Sequence, residues 1–453
     1  MTPEKVATDK SKAGTQPVGE RPQSRLEKSL AFITVVKGGE GPNALLMALN
    51  FFVLLTAYYL LKTVREALIL TESGAEVKTY SAAGQAFLLL MIVPIFGALA
   101  SKVNRILLIQ SVTLFFASHL IVFYLLGTAG VHEGVVYFLW VGIFNLLVIA
   151  QFWAFANDLY SPSQGKRLFP LIGLGASLGA WIGALLAGML IHRLGPYPLL
   201  LIAAVMLVGC VAISRFVHRR SIREQSEEES AVAQKPLGKE GGFSLIFHNR
   251  YLMTIAILTV LLNIVNTSGE FLLGKIVVQQ AESTFPGGQE MFTAREKMVG
   301  QFYGSYFGWT NLLGLLLQTF AASRIFATIG VGGALLIGPG IAFVGYSLML
   351  LNPVLSVLRV VKILDNSNDY SVQKTATQAL YLSTSREAKY KAKTAIDTFF
   401  VRMGDLTQAG IVYLGTMLSF GFPAFAVINL VLTSFWMLSA IRLRADLRSR
   451  SAE

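Results

Sequence analysis

The stretch Ala57-Tyr58-Tyr59-Leu60-Leu61-Lys62-Thr63-Val64-Arg65-Glu66-Ala67-Leu68-Ile69-Leu70 sets three full charges in a run otherwise apolar enough to cross a bilayer. A charge at the centre of a membrane helix costs about 2.5–3.5 kcal/mol on insertion scales, so it is seldom left facing lipid. Lys62, Arg65 and Glu66 are spaced i, i+3 and i+4, which puts all three on one helix face. A cationic face turned into the protein predicts a water-filled cavity that an anion visits. The pattern implies a transporter.

Composition agrees. The 453 residues are 54% hydrophobic and only 14% charged, with a mean hydropathy of +0.58. Soluble domains carry about 25% charged residues. Apolar runs of roughly 20 residues, the length needed to span the hydrocarbon core, recur along the chain. They predict twelve spans, at 44–70, 82–100, 105–127, 134–157, 170–191, 198–217, 251–280, 300–321, 328–351, 354–384, 393–418 and 422–442. Backbone groups in lipid must be satisfied within the segment, so the spans are helices. The expectation is an all-α integral membrane protein of twelve transmembrane helices in two six-helix halves.

Lys and Arg mark one side of the membrane. They crowd the first 40 residues, Lys166 and Arg167, the segment from Arg215 to Arg250, the cluster Arg386/Lys389/Lys391, and the tail from Arg442 to Arg450. The opposite loops are poor in them, Lys78, Arg193, Arg295 and Lys297 being the exceptions. Both termini are therefore expected in the cytoplasm, with the bacterial inner membrane as the expected location. The net charge of +12 is read as this topology signal and not as nucleic-acid binding. The polar N-terminal stretch is not expected to act as a cleavable signal peptide. The single cysteine, Cys210, excludes an internal disulfide.

The chain divides into a polar tail (1–43), a first half (44–217), a charged linker (218–250), a second half (251–442) and a short tail (443–453). Gly97-Ala98-Leu99-Ala100-Ser101-Lys102-Val103-Asn104-Arg105 is a degenerate form of the major-facilitator loop pattern, with Ser101 in place of the acidic residue. Its counterpart in the second half is Gln318–Phe326. Two parallel six-helix repeats around a midplane site form a major-facilitator-like body. In the fifth span glycine or another small residue recurs every fourth position through Gly175, Gly179 and Gly183, which predicts close helix packing and not a phosphate loop.

The tenth span is the most polar. Lys362, Asp365, Asn366, Asp369, Gln373 and Thr377 share one face, so a lining role is expected for the 354–384 helix. In the seventh span Glu270 and Lys275 are i+5 apart, and each is expected to meet a partner on another helix.

Taken together these motifs resemble the ATP/ADP translocases of plastids and obligate intracellular bacteria. The resemblance is carried by Tyr59–Thr71 with Ser73-Gly74-Ala75-Glu76, by Phe155-Ala156-Asn157-Asp158 with Lys166–Ala176, by Asn266-Thr267-Ser268-Gly269-Glu270 with Lys275, and by Lys391-Ala392-Lys393-Thr394-Ala395-Ile396-Asp397. It implies nucleotide exchange, ATP for ADP, by a protein that is not an enzyme and needs no cofactor or metal. It places the essential charges on Arg65, Glu270 and Lys393, with Asp158 as a further candidate. The family's first-helix lysine stands here as Arg65. The candidate substrate-binding set is Lys62, Arg65, Glu66, Asn157, Asp158, Glu270, Lys275, Asp365, Asp369 and Lys393. Phe152, Trp153, Phe155, Tyr303, Tyr306 and Trp309 are candidates for a wall against a purine. Two other readings stay open: a proton- or cation-coupled carrier of another organic anion, with Glu66, Asp365 and Asp369 as coupling sites, and a non-transporting membrane scaffold.

Overall fold

A computed structural model describes residues 23–30, 34–100, 103–224, 242–381, 384–385 and 388–452. Among them there is no strand, and eight helices are long and apolar enough to cross a membrane. The expected linker at 218–250 falls largely on 225–241, which lie outside the described residues, as do Arg386 and most of the 1–43 tail.

A short α1 (Arg25–Leu30) precedes α2 (Gly41–Ala100), whose 60 residues are about three times the length needed to cross a bilayer. It turns back at a single residue, Gly74, held at φ 81° and ψ 177°. Only glycine adopts that conformation without strain. The expected loop at 71–81 therefore shrinks to one residue, and 75–81 is helical. The consequence is chemical: Lys78, read as a loop cation, sits one turn inside a helix.

The first half continues with α3 (Arg105–Thr128), α4 (Gly134–Leu159), α5 (Pro162–Leu194) and α6 (Tyr197–Glu224). Ser161 caps α5 in a reciprocal box with Gln164, which satisfies free N–H groups at the helix start. The glycines of α5 act by contact. A methyl at Gly175, Gly179 or Gly183 would lie 2.3–2.7 Å from the backbone of Ala48, Phe52 or Thr56 on α2. In lipid, where apolar burial gives no net drive, such close backbone approach is a principal source of helix association. Glu40, ahead of α2, receives both guanidinium amines of Arg167 at 2.8 and 2.9 Å and so ties the chain entry to α5.

In the second half α7 (Gly242–His248) leads into α8 (Arg250–Thr284), capped by Asn249, then α9 (Phe292–Leu316) and α10 (Ala322–Ala334). The expected 328–351 span is broken: α10 kinks at Gly330 (φ 68°), and α11 is Ile337–Leu351. The polar segment forms α12 (Leu355–Asn368), a π-helical turn (Asp369–Gln373) and α13 (Lys374–Ala379). Two further π-turns flank α14 (Lys393–Ala395) before α15 (Val401–Met417) and α16 (Phe422–Ala452). Lys362, Asn366 and Gln373 are each at most 3% exposed, so the polar stripe faces protein. Two apolar clusters form, one within the first half through Met47, Phe144 and Leu199, the other through Phe271, Leu335 and Tyr346 of the second half and across the seam to Tyr59, Leu70 and Ala184.

The halves meet most closely between α5 and α9, where a methyl on Gly304 would lie 2.4 Å from Gly188 Cα. Tyr59 on α2 donates to Asn311 Oδ1 on α9 at 2.9 Å, and Asn311 donates to the Ala180 carbonyl on α5 at 3.1 Å.

Candidate functional site

Five helices, α2, α8, α9, α12 with the π-turn that follows it, and α15, enclose a cavity of about 220 Å³ between the halves. Its cations are Lys62, Arg65 and Lys78, all on α2; its acids are Glu66, Glu270 and Asp405. Phe271, Phe307 and Tyr370 form the aromatic part of its wall.

Glu66 is the hub of the cationic side. Arg65 donates to Oε1 through Nε at 3.1 Å and Nη2 at 2.6 Å, and Lys78 reaches Oε2 at 2.6 Å. The fold-back at Gly74 makes this possible, because it brings two turns of one continuous helix face to face. Arg65 also lies 4.7 Å over the Phe138 ring. Lys62 differs. Among the described residues no carboxylate lies within ion-pair distance of its Nζ, which instead stands 4.1 Å over the Phe307 ring. A partly desolvated ammonium backed by the Phe307 and Tyr59 rings is a strong attractor for an incoming anion.

The acidic side is built by α8, α9 and α12. Glu270 Oε1 accepts from Tyr306 Oη and Asn366 Nδ2, both at 2.8 Å, with Lys362 Nζ at 4.0 Å. Lys362 is only 1% exposed and is bound to Asp365 Oδ2 at 2.7 Å and Asn266 Oδ1 at 2.6 Å. Asp369 accepts from Asn266 Nδ2 at 3.5 Å. Asp405 is held by Asn263 at 2.8 Å and Arg402 at 3.0 Å, and Gln408 accepts from Ser268 at 2.5 Å.

Of the ten expected site residues, Lys62, Arg65, Glu66 and Glu270 line the cavity, while Asp365 and Asp369 stand behind Asn266 and Lys362. Lys275 does not line it. It bonds Glu76 at 2.8 Å across the halves, near the face opposite the chain ends. Asn157 and Asp158 are exposed at the end of α4, and Lys393 pairs with Asp397 at 3.9 Å, both on the chain-end side and away from the cavity. The expected aromatic wall also changes. Phe152 stacks on Phe51 at 4.0 Å within the first half, Trp309 is 55% exposed, Tyr303 is buried at the seam with its ring 5.4 Å from Lys78 Nζ, and Tyr306 is buried behind Glu270. The residues missed are Lys78, Phe307, Tyr370 and Asp405. Asp405 was readable, since an acid deep inside the 393–418 span falls under the same rule as Lys62.

The Major Facilitator Superfamily model matches residues 42–363, more than two thirds of the sequence and across both halves. The chain belongs to the Major Facilitator Superfamily. This major-facilitator protein is also distantly similar to ADP,ATP carrier protein 1 of Chlamydia pneumoniae, at 21% identity over 68% of the chain. The protein of that name from Chlamydia muridarum is 22% identical over the same share. The matches cover 66% and 64% of those relatives, just under two thirds of their length. Among solved structures, a bacterial homologue of the iron transporter ferroportin in an inward-facing state superposes with a TM-score of 0.62 at 14% identity, covering 89% of this chain and 98% of that one. The nucleoside transporter NupG does so at 0.59 and 12% identity, with the same coverage. These likenesses give the fold, and the family match makes the chain a multi-pass membrane transporter of major-facilitator type.

Proposed function

We propose that the protein exchanges nucleotides, ATP against ADP, by alternating access. Its twelve crossings would form two six-helix halves, 44–217 and 251–442, with the linker at 218–250 and both ends in the cytoplasm of a bacterial cell. The observation that carries this is Lys62, a cation in the inter-half cavity with no carboxylate within ion-pair distance among the described residues, beside Arg65 and Lys78. The similarity to ADP,ATP carriers supports a nucleotide as the anion.

The physical sequence is as follows. In the empty site Glu66 satisfies Arg65 and Lys78, which would otherwise be buried and unpaired at high cost. Phosphate oxygens meet Lys62 first and then compete with Glu66 for the other two cations. Glu270, fixed by Tyr306 and Asn366, faces these cations and limits how much negative charge the site accepts. Phe307 and Tyr370 offer flat surfaces for a base. At about 220 Å³ the cavity is smaller than the ~300–1,000 Å³ usual for a whole ligand of this size. It suits the phosphate chain, and the halves must part further to admit the rest.

A second reading, ion-coupled uptake of an organic anion, is favoured by Asp369, whose carboxylate has no cation within ion-pair distance among the described residues. Reconstituted vesicles separate the two. Exchange requires internal ADP for entry of labelled ATP. Filling of empty vesicles under an imposed ion gradient, without stimulation by internal nucleotide, would replace exchange by coupled uptake.

A further inference from the structure

Near the face opposite the chain ends lie three carboxyl groups that the exchange mechanism does not use. Glu72 is at the end of the first arm of α2, Glu133 immediately precedes α4, and Glu296 is in the first turns of α9, in the other half. Glu72 Oε2 accepts the Gly134 N–H at 2.6 Å, which brings the first two elements into contact. The Tyr197 side chain at the start of α6 lies within electrostatic reach of all three carboxyls, and Glu296 within reach of Glu72. Glu133 and Glu296 are 4% and 3% exposed. Four of their oxygens, Glu72 Oε1, both of Glu133 and Glu296 Oε1, are buried without a hydrogen-bond partner. Three ionised carboxylates in such a place are untenable, since each unsatisfied buried charge is strongly disfavoured.

The surrounding groups supply little compensation. His132, beside Glu133, is exposed and stacks on Phe292 at 5.6 Å. Tyr137 faces Glu133 from the next turn of α4 but donates to the Leu61 carbonyl at 3.3 Å. Lys297 packs towards Gly195 at the end of α5, and Arg295 donates to the carbonyls of Phe285 and Gly287. None of these cations forms an ion pair with the three acids. Burial, reinforced by the neighbouring Glu72 carboxyl, pushes Glu133 up to about 8. The cluster resembles no metal site, as no group of three or more ligands with metal-binding arrangement occurs among the described residues.

We propose that Glu72, Glu133 and Glu296 form a proton-binding site that closes this face when protonated and releases protons as the face opens. The proposal rests on the alternating-access reading but not on the identity of the substrate. The sign follows from linkage. A carboxyl with a raised value in the closed state and an ordinary one near 4.3 when hydrated in the open state favours closure at low pH. Between those limits each such group shifts the closed-to-open ratio by up to about ten-fold per pH unit, and closure weakens as pH rises.

The test uses the full chain in lipid with Cys210→Ala and spin labels at Thr128→Cys and Glu290→Cys, one on each half of this face. Inter-label distances are recorded from pH 5.5 to 8.5, with and without ATP. The expected result is a short-distance population that grows as pH falls. In the triple variant Glu72→Gln, Glu133→Gln, Glu296→Gln that population should stay high at every pH, because Gln mimics the protonated acid. Glu133→Gln alone should flatten the pH response in part. Distances that respond to ATP but not to pH, or Gln variants that titrate like the parent, overturn the proton site. Distances that respond to neither overturn it together with the alternating-access reading.

Discussion

Lys62→Met separates binding from folding more cleanly than any other substitution in the cavity. Removing Arg65 or Lys78 leaves Glu66 with half its cations, and removing Glu66 leaves two buried cations without a counter-charge. Breaking such a pair costs about 3–5 kcal/mol and confounds any functional reading. Lys62 has no carboxylate partner among the described residues, and its contacts are the rings of Phe307 at 4.1 Å and Tyr59 at 5.3 Å. Methionine keeps the stem and packs on both rings. The fold loses a cation–π contact of about 0.5–2 kcal/mol and is relieved of a partly desolvated charge, so the melting temperature of the empty protein should change little. A bound phosphate, by contrast, loses a hydrogen bond to a charged group, about 1.5–3 kcal/mol. At about 1.4 kcal/mol per ten-fold, affinity should fall by roughly 10- to 150-fold. The assay is uptake of labelled ATP into ADP-loaded vesicles, paired with thermal unfolding in detergent at increasing ATP. Lys62→Met should raise KM and remove most of the stabilisation by ATP. Parental KM together with an unchanged ATP-dependent shift would refute the assignment of Lys62 to the anion.

Three further outcomes are expected. The ion pair from Arg167, outweighing burial, holds the Glu40 carboxyl below the usual carboxylate range, so its stabilisation is present above about 4.3 and lost as pH falls. Glu40→Gln should therefore melt below the parent at pH 7, by about 1–2 kcal/mol, with the gap closing in acid; a pH-independent gap contradicts this. Gly304→Ala should destabilise by about 1–3 kcal/mol and slow exchange, because its methyl meets Gly188 Cα at 2.4 Å, whereas Gly188→Ala, at 3.3 Å from Gly304 Cα, should be milder in both melting and transport assays. Lys275 and Glu76 are each about 30% exposed, so Lys275→Met should cost less than about 1 kcal/mol, and swapping both charges should recover what either reversal alone loses in a double-mutant cycle of melting temperatures.

The membrane class, the inward cationic face and the glycine packing of α5 were legible because each follows from one rule: lipid tolerates neither free charge nor free backbone. Boundaries were less so. The loop at 71–81 was drawn to fit two standard spans, whereas one glycine with positive φ does the work of a loop, and Lys78 was lost with it. The tenth-span stripe reads correctly to Gln373 and then slips: Ala376 is fully buried and Thr377 only half-buried. The π-turn at Asp369–Gln373 carries an extra residue, which rotates everything after it out of the 3.6-residue register. Asn157, Asp158 and Lys393 were taken from resemblance, and a local motif carries no information on how far its residues stand from a midplane cavity.

The crossing of Gly188 with Gly304 also has a mechanical meaning. Glycines 175, 179 and 183 lock α5 onto α2, so the helix moves with its own half, while Gly188 touches the other half further along. Along α5, at about 1.5 Å per residue, the chain-end tip lies about 39 Å from that crossing and the opposite tip only about 9 Å. Taken as a fulcrum, the crossing gives unequal arms: a tilt of about 10° sweeps the far tip by about 7 Å and the near tip by less than about 2 Å. The chain-end mouth can thus widen greatly while the crossing stays in contact. The opposite face cannot open that way, and the crossing itself has to part. Under the proposed alternating access the two strokes would therefore be mechanically different movements, a swing on one side and a separation on the other.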